Sequence, residues 1–144
     1  MMNLITKFSL AIVILIILSL FISGNVLSPS PFVIAGQLLA VALNIWARTT
    51  FQKGQFKIQA EPGAGTMLTS GPYKIIRHPM YAAVLLFIWS SILGHLSVIT
   101  IIIGLIGTSV ATIRIVNEEK LLKAQYPDYA EYSRKTWRII PFII

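Results

Sequence analysis

The sequence predicts an all-α integral membrane protein: four transmembrane helices, the last two forming a tight hairpin, then a C-terminal interfacial helix. Three observations predict this. Hydrophobic residues make up 56% of the 144 residues and charged residues 12%, about half the charge of an ordinary soluble domain. The mean hydropathy is +0.77, as expected of a chain whose solvent is largely lipid. The apolar residues lie in long runs, with the polar ones gathered in blocks between and after them. The length allows one domain, 1–144.

The first run, Phe8 to Leu27, is nearly unbroken Ile, Leu, Val and Phe. It has the roughly 20 residues a spanning helix needs. A signal peptide is the competing reading, with Lys7 as its basic flank and Ser23-Gly24 as a small-residue cleavage site. The length of the run and the second apolar segment directly after it favour a span. That second span covers about 32–48, entered through Pro29 and Pro31 and closed by Trp46 and Arg48 at the interface.

Residues 49–78 form a polar, glycine- and proline-rich loop with no helical or strand period. From Tyr81 to Val116 the chain is apolar again. This stretch supplies roughly 54 Å of helix, against about 60 Å for two full crossings. Gly94-His95 is the best break, so spans of about 79–94 and 96–117 are expected, the second running past the membrane surface through Glu118, Glu119 and Leu122. In the tail, 118–144, Pro127 ends that helix, and Asp128 suits a new helix start. Tyr126, Tyr129, Tyr132 and Trp137 beside Arg134, Lys135 and Arg138 suit an interfacial helix.

Twelve Lys and Arg against five Asp and Glu give a net charge of +7. These cations flank apolar runs, so anionic membrane lipids and orientation account for them, and no nucleic-acid partner is expected. The large loop and the tail hold nearly all of them. The positive-inside rule therefore places both termini and the loop in the cytoplasm. With no cysteine, disulfides, thiolate metal sites and cysteine nucleophiles are excluded, and no metal site is expected. No Asp, Glu, Lys or Arg falls inside a span as drawn, which argues against an ion-coupled transporter. Gln37 and Asn44 share a helix face and read as interhelical hydrogen-bonding residues. His95 reads as a cap of the hairpin turn.

The remaining chemistry lies in two stretches at the cytoplasmic edge. In the first, Gly65 to Tyr81, Gly71-Pro72 forces a turn. Pro79 suits the first helical position, so His78 becomes the N-cap. Arg77 and His78 then sit at the positive end of a helix, a ready site for a carboxylate or a phosphate. Tyr73 and Tyr81 offer flat faces for a base or a cation. The plain alternative has Lys74 and Arg77 on lipid phosphates and the tyrosines in an interfacial belt. In the second stretch, Arg114 and Glu118 are spaced i, i+4 on one helix face, while Glu119 points about 100° away. They make either a surface ion pair or the lining of a polar pocket.

Together these stretches resemble the isoprenylcysteine carboxyl methyltransferase family, within the membrane methyltransferases that include phospholipid N-methyltransferases. The matching pieces are Gly71-Pro72-Tyr73, Arg77-His78-Pro79-Met80-Tyr81, Glu118-Glu119, Tyr126 to Tyr132, and Arg138-Ile139-Ile140-Pro141. They span residues 65–142. Ala83 stands where many members have glycine, and Tyr126-Pro127 replaces the family's Phe-Gly pair. The resemblance implies binding of S-adenosyl-L-methionine near the cytoplasmic surface. Methyl transfer to a lipophilic or lipidated acceptor would follow, carboxyl O-methylation of an isoprenylcysteine-like substrate first and N-methylation of a phospholipid or amine second. It also implies site roles. Gly65, Thr66, Met67 and Leu68 contact the cofactor largely through backbone, and Tyr73 packs on it. His78, Pro79, Met80 and Tyr81 hold its amino-acid end, Glu118 binds its hydroxyl or ammonium groups, and Arg114 faces the acceptor carboxylate. Arg114 and His78 are thus the catalytic candidates. Two other classes compete: a nicotinamide-dependent membrane reductase and a small non-enzymatic membrane protein.

Overall fold

A Schellman turn closes the first helix. The amide of Asn25 donates to the carbonyl of Leu20 (2.9 Å) and that of Gly24 to Phe21 (3.1 Å), with Gly24 left-handed at φ +71°. Helix α1 therefore runs Met2–Ile22 and stops short of the expected Leu27. The Ser23-Gly24 pair, a possible cleavage site in the sequence, is here a helix C-terminus. The protein is described by a computed structural model covering residues 2–50 and 67–143, without the side chains of residues 2–7 and 10. Gly65 and Thr66 lie outside the described residues.

Helix α2 (Pro31–Thr49) starts on a proline at its first turn. A short 3-10 turn, Gly71–Lys74, follows. Gly71 takes φ +56°, and a Cβ there would lie 2.5 Å from Thr50 Oγ1, so glycine lets this turn sit against the end of α2. Helix α3 (Pro79–Gly94) has the expected bounds, with His78 as N-cap and His95 as C-cap. A capping box opens α4 (Val98–Gln125): Ser97 Oγ accepts from the Thr100 amide (3.2 Å) and Thr100 Oγ1 from the Ser97 amide (3.0 Å). The helix runs through Glu118 and Glu119 as expected. Pro127 falls in the break before α5 (Tyr129–Lys135).

α4 packs against both α1 and α3, and α3 packs against α2. The core joins Ile16 and Leu20 of α1 to Ile88 and Ile92 of α3. Polar links between helices are satisfied. Gln37 Nε2 donates to Val26 O (2.7 Å) and Ser91 Oγ (3.0 Å), and Trp89 Nε1 donates to Thr108 Oγ1 (3.1 Å). Ala83 is buried, so its methyl is accommodated where the resembled family has glycine.

The outer surface is apolar. Leu15, Leu38 and Leu105 are 63%, 65% and 55% exposed, which suits lipid and would be a liability in water. Pro31–Thr49 and Val98–Gln125 are long and apolar enough to cross a membrane, whereas Pro79–Gly94 and the apolar part of α1, Ala11–Ile22, are shorter. The 16 residues of α3 reach about 24 Å, short of the roughly 30 Å hydrocarbon core. The described residues thus form an all-helical membrane protein without regular strands.

The C-terminal segment pairs with the stretch that precedes α3. The Trp137 amide donates to Ile75 O (2.9 Å), Arg77 N to Trp137 O (2.7 Å) and His78 N to Arg138 O (3.1 Å). An isolated parallel bridge pairs Ile76 with Trp137. The tail therefore binds the segment that enters α3.

Candidate active site at the polar end of the bundle

The start of α3 fixes His78. Pro79 needs no hydrogen bond for its nitrogen, and the His78 carbonyl accepts from the Ala82 amide at 3.0 Å. The imidazole is buried, with its side chain 2% exposed, and lies across two consecutive carboxylates of α4. Its Nδ1 is 3.8 Å from Glu118 Oε2 and its Nε2 is 3.4 Å from Glu119 Oε1. The second contact is close enough to be ionic but is not aligned as a hydrogen bond.

Glu119, placed by helical spacing on another face from Arg114, proves to be the buried carboxylate. Its Oε1 accepts from Arg77 Nε (3.1 Å) and Arg138 Nε (3.2 Å), and its Oε2 from Arg138 Nη2 (2.8 Å). Burial pushes its pKa up, but the nearby His78 and the hydrogen bonds and charge of Arg138 more than offset this. The carboxyl is held well below the ordinary range. Glu118 remains partly open, its side chain 28% exposed. Arg77 is not free to meet an anion: besides Glu119 it donates from Nη1 to Ser133 O (2.8 Å) and to Thr136 O.

Arg114 is also buried. Its Nε donates to the Tyr81 phenol (3.1 Å), its Nη1 donates to Ser9 Oγ (3.1 Å), and its guanidinium lies 5.7 Å from the Tyr81 ring centroid. The same ring meets His78 in a T-shaped arrangement, with centroids 5.7 Å apart. Arg114 and His78, 36 residues apart in the chain, therefore both contact one tyrosine. Glu118 interacts with the same phenol.

Tyr73 is buried in the 3-10 turn, and Tyr132 Oη donates to its carbonyl (2.8 Å). Burial, then the negative charge of Glu118, keeps the Tyr73 phenol protonated far above neutral pH. Burial likewise pushes Tyr132 up to about 12. These rings act as apolar walls rather than bases.

The structure thus gathers Tyr73, His78, Pro79, Tyr81, Arg114 and Glu118 at one end of the bundle. Met80 lies in the first turn of α3, and Met67 and Leu68 are half-buried before the 3-10 turn. Sequence reasoning missed Glu119, Arg77 and Arg138 as a cluster, and Ser9 as a partner of Arg114. Each of the three clustered residues stands in a separate motif piece, and nothing local joined those pieces. Among the described residues no group of three or more His, Asp or Glu side chains is placed to hold a metal ion.

An all-helical membrane protein, with aromatic, imidazole, carboxylate and guanidinium groups converging at one helix start, has the make-up of a membrane-embedded group-transfer protein. The phospholipid methyltransferase family matches residues 12–129, and the chain belongs to that family. Methyl transfer is the chemistry that membership implies. The match includes α2 and the second half of α1, which carried no motif. A curated relative, the cobalt-zinc-cadmium resistance protein CzcN of Cupriavidus metallidurans, is 34% identical over 79 residues, 53% of this chain and 36% of that protein. The chain spans about a third of that relative's length.

Proposed function

We propose that the protein is an S-adenosyl-L-methionine-dependent methyltransferase of the cytoplasmic membrane face, spanning the bilayer four times with both termini inside. Its preferred reaction is carboxyl O-methylation of an isoprenylcysteine-like lipid. The observation that carries this reading is the convergence of His78 and Arg114 on Tyr81. The His78 end would take the cofactor and the Arg114 guanidinium an anionic acceptor.

The residues fit the cofactor. Tyr73 and Tyr81 supply faces for a planar base or a cation. Glu118 is partly open and can accept from hydroxyl or ammonium groups. The amides that open α3 face an anionic end. When bound, the cofactor supplies a sulfonium-activated methyl group. The chain's own task is positioning and exclusion of water. His78 to Tyr81 would hold the amino-acid end, and Gly65 to Leu68 would line the approach. Arg114, which donates to the Tyr81 and Ser9 hydroxyls, would orient an acceptor carboxylate through its guanidinium. A carboxylate is ionised at neutral pH and needs no general base.

One observation favours a second reading. The family is described by phospholipid acceptors, and N-methylation requires loss of an ammonium proton. His78, between Glu118 and Glu119, is the group placed to take it.

Titration of the detergent-purified protein with S-adenosylhomocysteine tests the cofactor. Micromolar binding, lost in Glu118→Ala and His78→Ala, is expected. Binding of a reduced nicotinamide instead would move the protein to the reductase class, and binding of neither would leave a non-enzymatic membrane protein. Lipid extracts incubated with a labelled methyl donor separate the acceptors: label released by alkali as volatile methanol marks O-methylation, and label retained on a non-volatile product marks N-methylation.

A further inference from the structure

Two neighbouring carboxylates of α4 occupy different environments. Glu118 lies 3.8 Å from His78, interacts with the Tyr81 phenol and is partly open. Glu119 is 5% exposed and is held by protein on both oxygens. Oε1 receives Arg77 and Arg138 and faces His78, and Oε2 receives Arg138. Three of the about four lone-pair sites of a carboxylate are thus filled by arginines, and its burial turns Glu119 toward protein rather than ligand.

The partners it gathers come from two distant segments. Arg77 and His78 belong to the entry of α3, and Arg138 belongs to the tail. Those segments also pair directly, through Trp137 N with Ile75 O, Arg77 N with Trp137 O and His78 N with Arg138 O. Arg77 reaches further into the tail at Ser133 and Thr136, and Tyr132 holds the Tyr73 carbonyl. The segment carrying Tyr73 and His78 is therefore clasped by the tail, and both are fastened to α4 at a single side chain.

We propose that Glu119 is a positioning residue: it locks the C-terminal tail over the entry to α3, and so sets Tyr73 and His78 for the cofactor without touching the cofactor itself. Glu118 then binds ligand and Glu119 builds the wall behind it. This rests on the methyltransferase reading of the site. Arg138 is the accessible half of the lock, with its side chain 44% exposed, so it can be removed with less risk to folding than the buried carboxylate.

The test measures S-adenosylhomocysteine affinity and amide hydrogen exchange on the full chain in detergent for wild type, Glu118→Gln, Glu119→Gln, Arg138→Ala and Arg138→Lys. Arg138→Ala should speed exchange in residues 73–78 and 136–138, leave the middle of α3 protected, and weaken binding roughly tenfold, as loss of an outer-shell partner does. Arg138→Lys should recover part of both. Glu119→Gln should act like Arg138→Ala, more strongly. Glu118→Gln should lose binding with unchanged exchange. Faster exchange with unchanged affinity in Arg138→Ala would overturn the positioning role, as would lost binding with unchanged exchange in Glu119→Gln. Failure of the folded wild type to bind would overturn the cofactor reading, and the inference with it; the two failures are separated by which protein shows them.

Discussion

The helical bundle and its polar end are held together by different forces. In the bundle, Ile16, Leu20, Ile88 and Ile92 interlock as shapes, while the outward leucines meet a solvent as apolar as themselves. Lipid removes the hydrophobic gain from such packing and leaves mainly close contact and a few hydrogen bonds. At the polar end, one buried carboxylate gathers two guanidiniums and an imidazole. There, removing one partner leaves others charged and unpaired. Truncation should therefore cost more at the polar end, although the bundle contains more of the chain.

The sharpest test compares Glu119→Ala with Ile92→Ala by unfolding in detergent. Breaking a buried ion network from one side costs about 3–5 kcal/mol. An Ile truncation in a soluble core costs about 2–5 kcal/mol, and detergent tails should hold Ile92→Ala near the lower end. Equal losses, or a larger one for Ile92→Ala, would break the comparison.

Acid offers a second test of the same cluster. The Glu119 carboxyl is depressed below its ordinary value of 4.5. Its contribution is complete above that ordinary value and fades as pH falls below it toward the folded value. Wild type should thus lose more stability than Glu119→Gln below about pH 4.5, measured as the difference between their unfolding curves. Parallel curves would mean that the carboxyl is not held by its cations.

These two regions also differed in how far the sequence disclosed them. Pro79 and Gly94-His95 marked both ends of α3, and Pro127 marked the break after α4, because such signals act within a turn of where they sit. Gly24 carried an equally local signal for the end of α1, but Ser23-Gly24 also fits a cleavage site, and the apolar run continues beyond it. Glu119 was invisible for a different reason. Helical spacing ranks residues by the face they share with Arg114, and that favours Glu118. The partners of Glu119 lie 42 and 19 residues away and leave no local pattern. The pairing of 75–78 with 137–138 is too short to show strand alternation. His78 and Tyr81 were legible because a helix start imposes its own residue order.

Ser9 is where the bundle's first helix enters the polar end, so it gives the mildest and most selective test. It is 5% exposed and accepts from Arg114 Nη1 at 3.1 Å. Arg114 keeps its bond to Tyr81 when Ser9 is replaced, and a guanidinium has five donors. Losing one neutral acceptor should therefore loosen Arg114 without releasing it, at about 1 kcal/mol, or roughly fivefold. With Arg114 orienting the acceptor as proposed, Ser9→Ala should raise the acceptor KM by that factor, while S-adenosylhomocysteine affinity and kcat stay near wild type. Steady-state kinetics with the acceptor found in the lipid screen reads this directly. A fall in cofactor affinity instead would mean that α1 braces the whole polar end, and that the boundary between bundle and site does not lie at Tyr81.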